Sequence, residues 1–552
     1  MAGSRDICCA EAEVPAVRRA PASSRARCVR RACRVRRACR VRRVSRACRV
    51  RRVSRARRVR RACRVILVAF AFFAVIAPVR PAHAWDADTA DQLDEYLDEA
   101  FPASGVPGMA VAVVSASDTN YLRVFGDVKS ADDTFIIGSL SKSMTALAVQ
   151  QLVDEGLIDL DAPAVRYAPG YAVPADVTVR MLLNQTSGFG YYESLARASV
   201  GESYGQFSYA NANYDLLGRI VESVSGESYA SYLRANIFDV AGMDDASVDG
   251  VEEPRAVATP AHRDWFGIPV VDGFSHGEDD DEWGGQASGY VRASIRDMAS
   301  YLRLYLNNGG GVVSSDAVNR MVWNRVPDPA GDTFYGMGWT TYADDDGLLV
   351  MSHDGDVENH VARMVVIPEE DVAVVIMADE NDVVGGNGAF WDMGDGVLSL
   401  ARGFEADAAI TPEDADASRE THIEFDAAYA FAVGACAMPL VLRRRWRRKM
   451  TRARGFERAV RVAWALTLHV GVPALIAWLP TTTGMRLRDF ASFYPEQVAV
   501  GGACVALLAA GGLAKLYGGV GSRAAGESCA MSLWDGLRLR CWHLREKNRH
   551  FF

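Results

Sequence analysis

Apolar residues repeat with helical or strand periodicity through the middle of this 552-residue chain. Positions 91–101 and 139–155 carry apolar residues every three or four places, which predicts two helices. Valine-rich runs at 109–115, 361–367 and 372–377 predict strands. Because the strands stand at both ends of the region and the helices between them, we predict a mixed α/β domain whose sheet is closed by distant segments.

A second pattern begins at residue 425, where three apolar stretches of about 18 residues follow one another. That length is at the lower end of what crosses a bilayer, so residues 425–514 are predicted to form three transmembrane helices. Buried helices of a soluble domain are the alternative, which the sorting of arginines among the loops disfavours. The stretches are 425–442, 462–479 and 497–514.

The charges between these stretches predict an orientation. Residues 443–458 hold nine basic residues and one acidic residue, whereas 481–496 holds two of each. Basic loops stay in the cytoplasm, which places 443–458 and the basic tail 515–552 inside the cell. The three spans then leave residues 85–424 outside the cytoplasmic membrane, with anchoring as the default role of the spans.

The N-terminal region carries a separate signal. Residues 65–77 are apolar, follow a dense run of arginines and precede the sequence AHA at 82–84. This order is typical of a cleaved secretory signal peptide, here 65–84. The apolar run covers ~20 Å of a ~30 Å hydrocarbon core, so a retained span is the less favoured alternative. Residues 1–64, with 23 arginines, are either an arm for nucleic acid or acidic lipid or, as we favour, repeat sequence upstream of the true start.

The middle of the chain is strongly acidic. Residues 65–422 contain 19 basic and 58 acidic residues, a formal charge of −39. Nucleic-acid binding needs clustered lysine and arginine, so no nucleic-acid partner is expected. The same region contains no cysteine, which excludes disulfides and thiolate metal sites there. Neither a cofactor nor a metal ion is expected.

The first candidate catalytic pair is Ser139 and Lys142, at the start of a predicted helix. Residues three apart on a helix share a face, so the amine reaches the hydroxyl, and the helix N-terminus favours a developing oxyanion. The predicted exported domain has only two lysines, Lys129 and Lys142. A lysine here indicates a group that must lose its proton, which arginine cannot do. The alternative is an ordinary helix start with a surface lysine.

Two further motifs supply candidate partners. In Tyr209-Ala210-Asn211 the phenol, if it lies near a cation, would lose its proton well below its usual pKa of ~10 and act as a general base. A buried aromatic residue before a helix is the plainer interpretation. His353 and Gly355, on a strand before 361–367, would border a cleft that binds substrate backbone, although this short motif alone means little.

Taken in order, Ser139-x-x-Lys142, Tyr209-x-Asn211 and His353-x-Gly355 resemble the serine β-lactamase and penicillin-binding-protein superfamily, as does LLNQTSGFG at 182–190. The resemblance covers about residues 88–403. It is greatest to the branch of class C β-lactamases, D-Ala-D-Ala carboxypeptidases and related esterases. It implies that residues 85–424 form a mixed sheet flanked by helices, with a helical subdomain.

The resemblance also implies roles. Ser139 would be the acylated nucleophile, Lys142 and Tyr209 would activate it, and Tyr209 would protonate the leaving group. Which of Lys142 and Tyr209 takes the first proton stays open. The implied substrate-binding and oxyanion groups are Asn211, His353, Gly355 and the backbone N–H groups of Ser139 and Asp356.

The third motif departs from the family pattern. It reads His-Asp-Gly-Asp at 353–356, where β-lactamases and carboxypeptidases tend to have Lys, Thr or Ser, Gly and a small residue. Two aspartates would repel the substrate carboxylate that those residues hold, and Arg363 is the candidate that could compensate. We therefore expect a substrate without that carboxylate: an ester, or a neutral or cationic amide.

Three functions compete. The first is a membrane-anchored serine acyl hydrolase outside the cytoplasm, acting on an ester or amide that could come from the cell wall. The second is a D-Ala-D-Ala carboxypeptidase or β-lactamase, and the third a non-catalytic ligand sensor, for which a deprotonatable lysine is unnecessary. G-x-S-x-G occurs at 201–205 and 273–277, but neither copy has the strand before it and the helix after it of a nucleophile elbow. No H-E-x-x-H zinc motif is present in the sequence.

Overall fold

A computed structural model describes Trp85 and residues 87–271, 280–406 and 412–520. The arginine-rich segment 1–64, the predicted signal peptide 65–84, the second G-x-S-x-G copy and the tail from 521 onward lie outside the described residues.

An antiparallel sheet of eight strands is the frame of the folded domain. Its order is β2-β1-β13-β12-β11-β10-β9-β8, so β1 from the start of the domain is paired directly with β13 from its end. The pairing of Val111 with Ile376 joins them, which confirms the prediction that distant segments close the sheet. The described strands are β1 (Gly108–Val114), β2 (Thr119–Gly126), β3 (Thr134–Ile136), β4 (Ser247–Val248), β5 (His262–Asp264), β6 (Pro269–Val271), β7 (Val291–Ser294), β8 (Val326–Pro327), β9 (Phe334–Gly336), β10 (Trp339–Ala343), β11 (Leu349–Val357), β12 (His360–Ile367), β13 (Val372–Ala378) and β14 (Glu380–Asn381).

Helices cover both faces of this sheet. The described α-helices are α1 (Ala87–Ser104), α2 (Ser141–Asp154), α3 (Val179–Leu183), α4 (Asn211–Ser225), α5 (Tyr229–Leu233), α6 (Asp239–Ala241), α7 (Gln286–Gly289), α8 (Ile295–Leu306), α9 (Ser315–Trp323), α10 (Gly388–Ala401), α11 (Pro412–Val441), α12 (Arg443–Arg452), α13 (Gly455–Leu466), α14 (Val472–Trp478), α15 (Leu487–Phe493) and α16 (Pro495–Val520).

The two cores follow from the alternation of side chains along a strand. Val111 of β1 belongs to the core formed with α1 and α10, whereas its neighbour Ala112 belongs to the larger core with α2, α4 and α8. Both neighbours are fully buried. The sequence of a strand that is buried on both faces is a nearly continuous run of apolar residues. The valine-rich segments were therefore correctly predicted to be strands, and they are β1, β12 and β13.

The predicted helix at 139–155 begins differently from the expectation. A short 3-10 turn, Gly138–Leu140, comes first, and the regular helix α2 starts at Ser141. Eleven residues of α2 are buried, and they include polar side chains as well as apolar ones. The helix therefore runs through the interior of the domain, and its first turn carries Lys142 into the protein.

Three C-terminal segments are long and apolar enough to cross a membrane: Ser418–Val441, Gly455–Thr483 and Pro495–Leu516. Even the shortest has 22 residues, which at ~1.5 Å per residue exceeds the ~30 Å hydrocarbon core. Most of their residues are unburied. Exposed apolar helices of this length indicate association with a membrane. The first segment starts earlier than the predicted boundary at 425.

Candidate active site

Ser139 and Lys142 lie at the entrance of the buried helix α2. Ser139, in the 3-10 turn, is partly exposed, while Lys142 is completely buried. The Nζ atom of Lys142 is 2.9 Å from Ser139 Oγ. The predicted contact between residues three apart is therefore present, and burial of the lysine excludes the alternative of a surface lysine.

Tyr209 and Asn211 reach the same pair from the start of α4. The Tyr209 hydroxyl donates to Ser139 Oγ at 2.8 Å. Asn211 Oδ1 lies 2.8 Å from Lys142 Nζ, and the backbone oxygen of Ser288 lies 2.6 Å from it. A serine hydroxyl, an amine and a phenol thus converge at hydrogen-bonding distance.

The LLNQTSGFG segment fixes the position of Tyr209. Gln185 in this segment is fully buried and adopts a left-handed backbone conformation, with φ of 58°. Its backbone oxygen accepts the Ser208 N–H at 2.8 Å, and its Oε1 accepts the Ala210 N–H at 3.0 Å. The residues on both sides of Tyr209 are held, so the ring has a defined direction.

Burial determines the protonation of the lysine and the tyrosine. Removal from water lowers the pKa of Lys142 to about 7, because a buried ammonium loses its hydration. The same effect raises the pKa of Tyr209 well above its ordinary value. This direction is opposite to the expectation that Tyr209 loses its proton easily, although Lys142 Nζ lies 4.8 Å from its ring centroid. The Tyr209 phenol therefore keeps its proton, which it donates in the hydrogen bond to Ser139 Oγ.

The third motif approaches Ser139 through two glycines. Gly138 has φ of +58°, and a Cβ built on it would lie 2.5 Å from the backbone nitrogen of Asp356. A Cβ on Gly355 would lie 2.2 Å from the Ile137 oxygen. Only glycine allows the turn and strand β11 to come this close. The backbone of Asp356 therefore lies beside the turn that carries Ser139.

His353 and Asp354 have different surroundings from those expected of a carboxylate-binding site. His353 is buried, and burial with the nearby Lys142 lowers its pKa to about 4. Its ring contacts the Asp354 backbone oxygen at 2.7 Å and the Tyr335 hydroxyl at 3.3 Å. The Asp354 carboxylate is bound by Arg363, whose Nε lies 2.7 Å from Oδ1. The histidine is thus neutral and already hydrogen-bonded.

The guanidinium of Arg363 is also occupied. Besides Asp354 it contacts Asp395 Oδ1 at 2.9 Å, and it lies 4.7 Å from the ring centroid of Trp391. Arg363 therefore compensates the charge of Asp354 and at the same time pairs with the carboxylate of Asp395. Asp356 lines the cleft, and its Oδ1 accepts a hydrogen bond from the amide of Asn381 at 2.5 Å.

These groups open into one cleft of about 450 Å³. Its lining combines the polar groups of the three motifs with many aromatic rings. The lining residues are Ser139, Tyr191, Tyr192, Phe207, Tyr209, Asn211, Trp283, Tyr335, Thr340, His353, Asp354, Asp356, Val383, Trp391, Met485, Phe493 and Tyr494. The last three follow the second candidate span, a contribution that the sequence motifs did not indicate.

Asp215 is a further residue that motif analysis missed. It stands one helical turn after Asn211, and its Oδ1 accepts the Gly285 N–H at 3.0 Å. Its charge raises the pKa of Lys142 and so opposes the effect of burial. The i, i+4 spacing from Asn211 was the available signal, because such residues share a helix face.

A separate cluster outside this cleft has donors that suit a metal ion. One ligand atom each from Asp264, Asp382 and His422 lie within 4.8 Å of one another. Nε2 of His422 is 3.0 Å from Asp382, and its Nδ1 is 3.7 Å from Asp264. Imidazole and carboxylate are zinc ligands, but here each ring nitrogen faces its own carboxylate. The three residues link the first candidate span to the folded domain.

Comparison with known proteins gives consistent relatives. Residues 88–389 match the family model described as Beta-lactamase. Penicillin-binding protein 4 of Amycolatopsis lactamdurans is 30% identical over 322 residues, covering 50% of this chain and 81% of that protein. Protein flp of Staphylococcus aureus is 22% identical over 326 residues, covering 53% and 64%. The octameric penicillin-binding protein homologue from Pyrococcus abyssi has a TM-score of 0.50 at 24% identity, covering 57% and 78%.

Proposed function

The chain belongs to the beta-lactamase family, and from that membership and its site we propose that it is a membrane-anchored serine acyl hydrolase working outside the cytoplasm. Ser139 would form an acyl-enzyme with an ester or amide. The observation that carries the proposal is the convergence on Ser139 Oγ of Lys142 Nζ at 2.9 Å and the Tyr209 hydroxyl at 2.8 Å. A nucleophile activated by an adjacent base is the recurring arrangement of covalent hydrolases.

The hydrogen bonds support Lys142 as the first base. A neutral amine has two N–H bonds and one lone pair, and Lys142 has two acceptor oxygens, Asn211 Oδ1 and Ser288 O, and one hydroxyl, that of Ser139. Both N–H bonds then point to the oxygens, and the lone pair accepts the serine proton. The lowered pKa of Lys142 makes this neutral form available near neutral pH.

Acylation then proceeds with balanced proton transfers. Ser139 Oγ loses its proton to Lys142 and bonds to the substrate carbonyl carbon. The backbone N–H groups of Ser139 and Asp356 would stabilise the oxyanion, each by ~3–4 kcal/mol. As the bond to the leaving group breaks, that group takes the proton of Tyr209, which is restored from Lys142. A water molecule then loses a proton to the same pair and bonds to the acyl carbon, the ester bond to Ser139 Oγ breaks, and Oγ takes up that proton as the acid leaves.

The charges around the third motif support a substrate without a carboxylate at that position. His353 is neutral at pH 7, and Arg363 is held between Asp354 and Asp395. In addition, no arginine is among the described residues that line the cleft, so none is placed there to bind a substrate carboxylate. We propose that esters or uncharged amides are turned over faster than β-lactams, which carry a carboxylate.

A substrate panel with the full chain in nanodiscs tests these points. Wild type should hydrolyse a neutral ester or amide, and Ser139→Ala should abolish turnover. Faster cleavage of a β-lactam or of a D-Ala-D-Ala peptide would instead support the second candidate function, which the similarity to penicillin-binding protein 4 favours. Stable labelling by a fluorescent penicillin without turnover of any compound would contradict hydrolysis and favour a sensor.

The location has a test of its own. A periplasmic-type phosphatase reporter fused after residue 424 should be active, and the same reporter fused after residue 458 should be inactive, because 443–458 is the basic loop. The opposite pattern would place the hydrolase domain in the cytoplasm and overturn this part of the proposal.

A further inference from the structure

Residues 485–494 connect the second and third candidate spans and form one wall of the catalytic cleft. We call them the inter-span segment; they include helix α15. Met485, Phe493 and Tyr494 line the same cavity as Ser139 and Tyr209. The reacting groups of the folded domain and side chains from the connection between two candidate spans therefore share one cleft.

Three polar contacts attach the inter-span segment to the folded domain. Arg486 pairs with Asp281, and Arg488 Nη2 lies 2.7 Å from Glu282 Oε1. In the opposite direction, Arg263 Nη1 donates to the Ser492 backbone oxygen at 2.6 Å. Because the contacts involve both ends of α15, the segment has a defined position over the cleft.

Aromatic rings continue from the folded domain onto this segment. Trp283 lies 5.4 Å from Tyr192 and 5.0 Å from Phe493, between ring centroids. The indole N–H of Trp283 donates to the Tyr191 backbone oxygen at 2.7 Å, so the one polar group of the Trp283 side chain is already hydrogen-bonded. What these rings offer to a ligand is mainly apolar surface, which favours an uncharged aliphatic or aromatic group.

We propose that the inter-span segment is a specificity element that binds an uncharged aliphatic or aromatic group of the substrate, next to the scissile bond and close to the membrane surface. This inference rests on the proposed hydrolase function. The location follows from the segment's length: its two ends join candidate spans that terminate at Thr483 and begin at Pro495. So short a connection remains at the boundary of the bilayer.

Ester series with full-length protein in nanodiscs provide the test. The apolar group is varied from methyl to benzyl on the acyl side in one series and on the alcohol side in the other. Wild type should prefer the benzyl compound in at least one series. In Phe493→Ala this preference, as the ratio of kcat/KM values, should fall about 10-fold or more, mostly through KM. An unchanged preference in both series would overturn the proposal.

A charge exchange tests the placement of the segment. Arg488→Glu should reduce the benzyl preference by repelling Glu282, and adding Glu282→Arg should restore it. Arg296→Glu, which disrupts the exposed pair with Asp132, is the matched control and should leave the preference unchanged. Failure of the double exchange to restore the preference would contradict the contact.

Binding without catalysis separates this inference from the proposed function. Ser139→Ala cannot be acylated, so phenylacetamide binding to it reports on the cleft alone. Phe493→Ala in this background should weaken binding about 10-fold. If wild type hydrolyses no ester but this loss is observed, the hydrolase proposal fails and the binding wall stands. If hydrolysis is observed and Phe493→Ala changes neither phenylacetamide binding nor the benzyl preference in either ester series, the wall is rejected.

Discussion

Replacing Lys142 by methionine should make the stability of the protein respond differently to pH. The side chain is completely buried, and burial lowers its pKa from 10.5 to about 7. The unfolded chain holds this proton up to about pH 10.5, whereas the folded chain releases it near pH 7. Between these values the unfolded state binds more protons, so the lysine's contribution to folding stability becomes more favourable as pH rises.

The size of this effect follows from the shift. A difference of 1 between the folded and unfolded pKa corresponds to about 1.4 kcal/mol. The buried lysine therefore destabilises the folded state by about 5 kcal/mol below pH 7 and by progressively less above it. Between pH 7 and pH 9 the free energy of unfolding of wild type should increase by about 2 kcal/mol relative to Lys142→Met, because the folded-state lysine is already half deprotonated at pH 7. Hydrogen bonds lost in the variant, about 1 kcal/mol each, do not depend on pH and cancel in this comparison.

Urea unfolding of both proteins in detergent at pH 7 and pH 9 measures the difference. Lys129→Met, which replaces a lysine that is 73% exposed, is the matched control for the loss of one lysine from the domain. Activity should fall about 10²–10⁴-fold in Lys142→Met, the usual contribution of a general base, and remain unchanged in the control. Parallel pH dependences of wild type and Lys142→Met would refute the assignment of a lysine that is neutral near pH 7.

Other parts of the site give sharp expectations. Tyr209→Phe should lower kcat about 10²–10⁴-fold for amides and less for esters of acidic alcohols, which leave without a proton; equal losses in steady-state assays would contradict its role as proton donor. Asp215→Asn removes a charge that raises the pKa of Lys142, so the acid limb of the kcat/KM profile should move to lower pH, and an upward move would be inconsistent. Gly138→Ala places a Cβ 2.5 Å from the Asp356 nitrogen and at φ of +58°, a strain of ~1–2 kcal/mol. Its kcat should fall more than its KM rises, and normal kinetics would remove Asp356 from the oxyanion hole.

Much of the fold was predictable because its signals are local. Strand β13 is buried on both faces, so apolar side chains fill every position and the apolar run is recognisable in the sequence. The spacing of Ser139 and Lys142 is also local, because one helical turn brings residues three apart together. The three C-terminal candidate spans can also be recognised in the sequence, because a helix that crosses a bilayer requires a long apolar stretch.

The ionisation of the site could not be predicted in this way. Whether Lys142 or Tyr209 is the base depends on how much water each retains, and that depends on the packing of α2, α4 and α7 around them. The sequence suggested an easily deprotonated tyrosine beside a cation. Desolvation, which has no sequence signature, reverses that expectation.

The amino-acid sequence by itself indicated the buried strands of the sheet, two helices, the three candidate spans and the three motifs, because each depends on neighbours within a few residues. Only the tertiary structure brought residues 139, 209 and 356 together, since strand pairing and glycine-permitted backbone contact join segments far apart in the chain. It also placed the inter-span segment on the cleft. The ion pairs of Arg486 with Asp281 and of Arg488 with Glu282 contribute to that contact. They join the acidic folded domain to the connection between two apolar spans, and neither sequence by itself indicates the other as its partner.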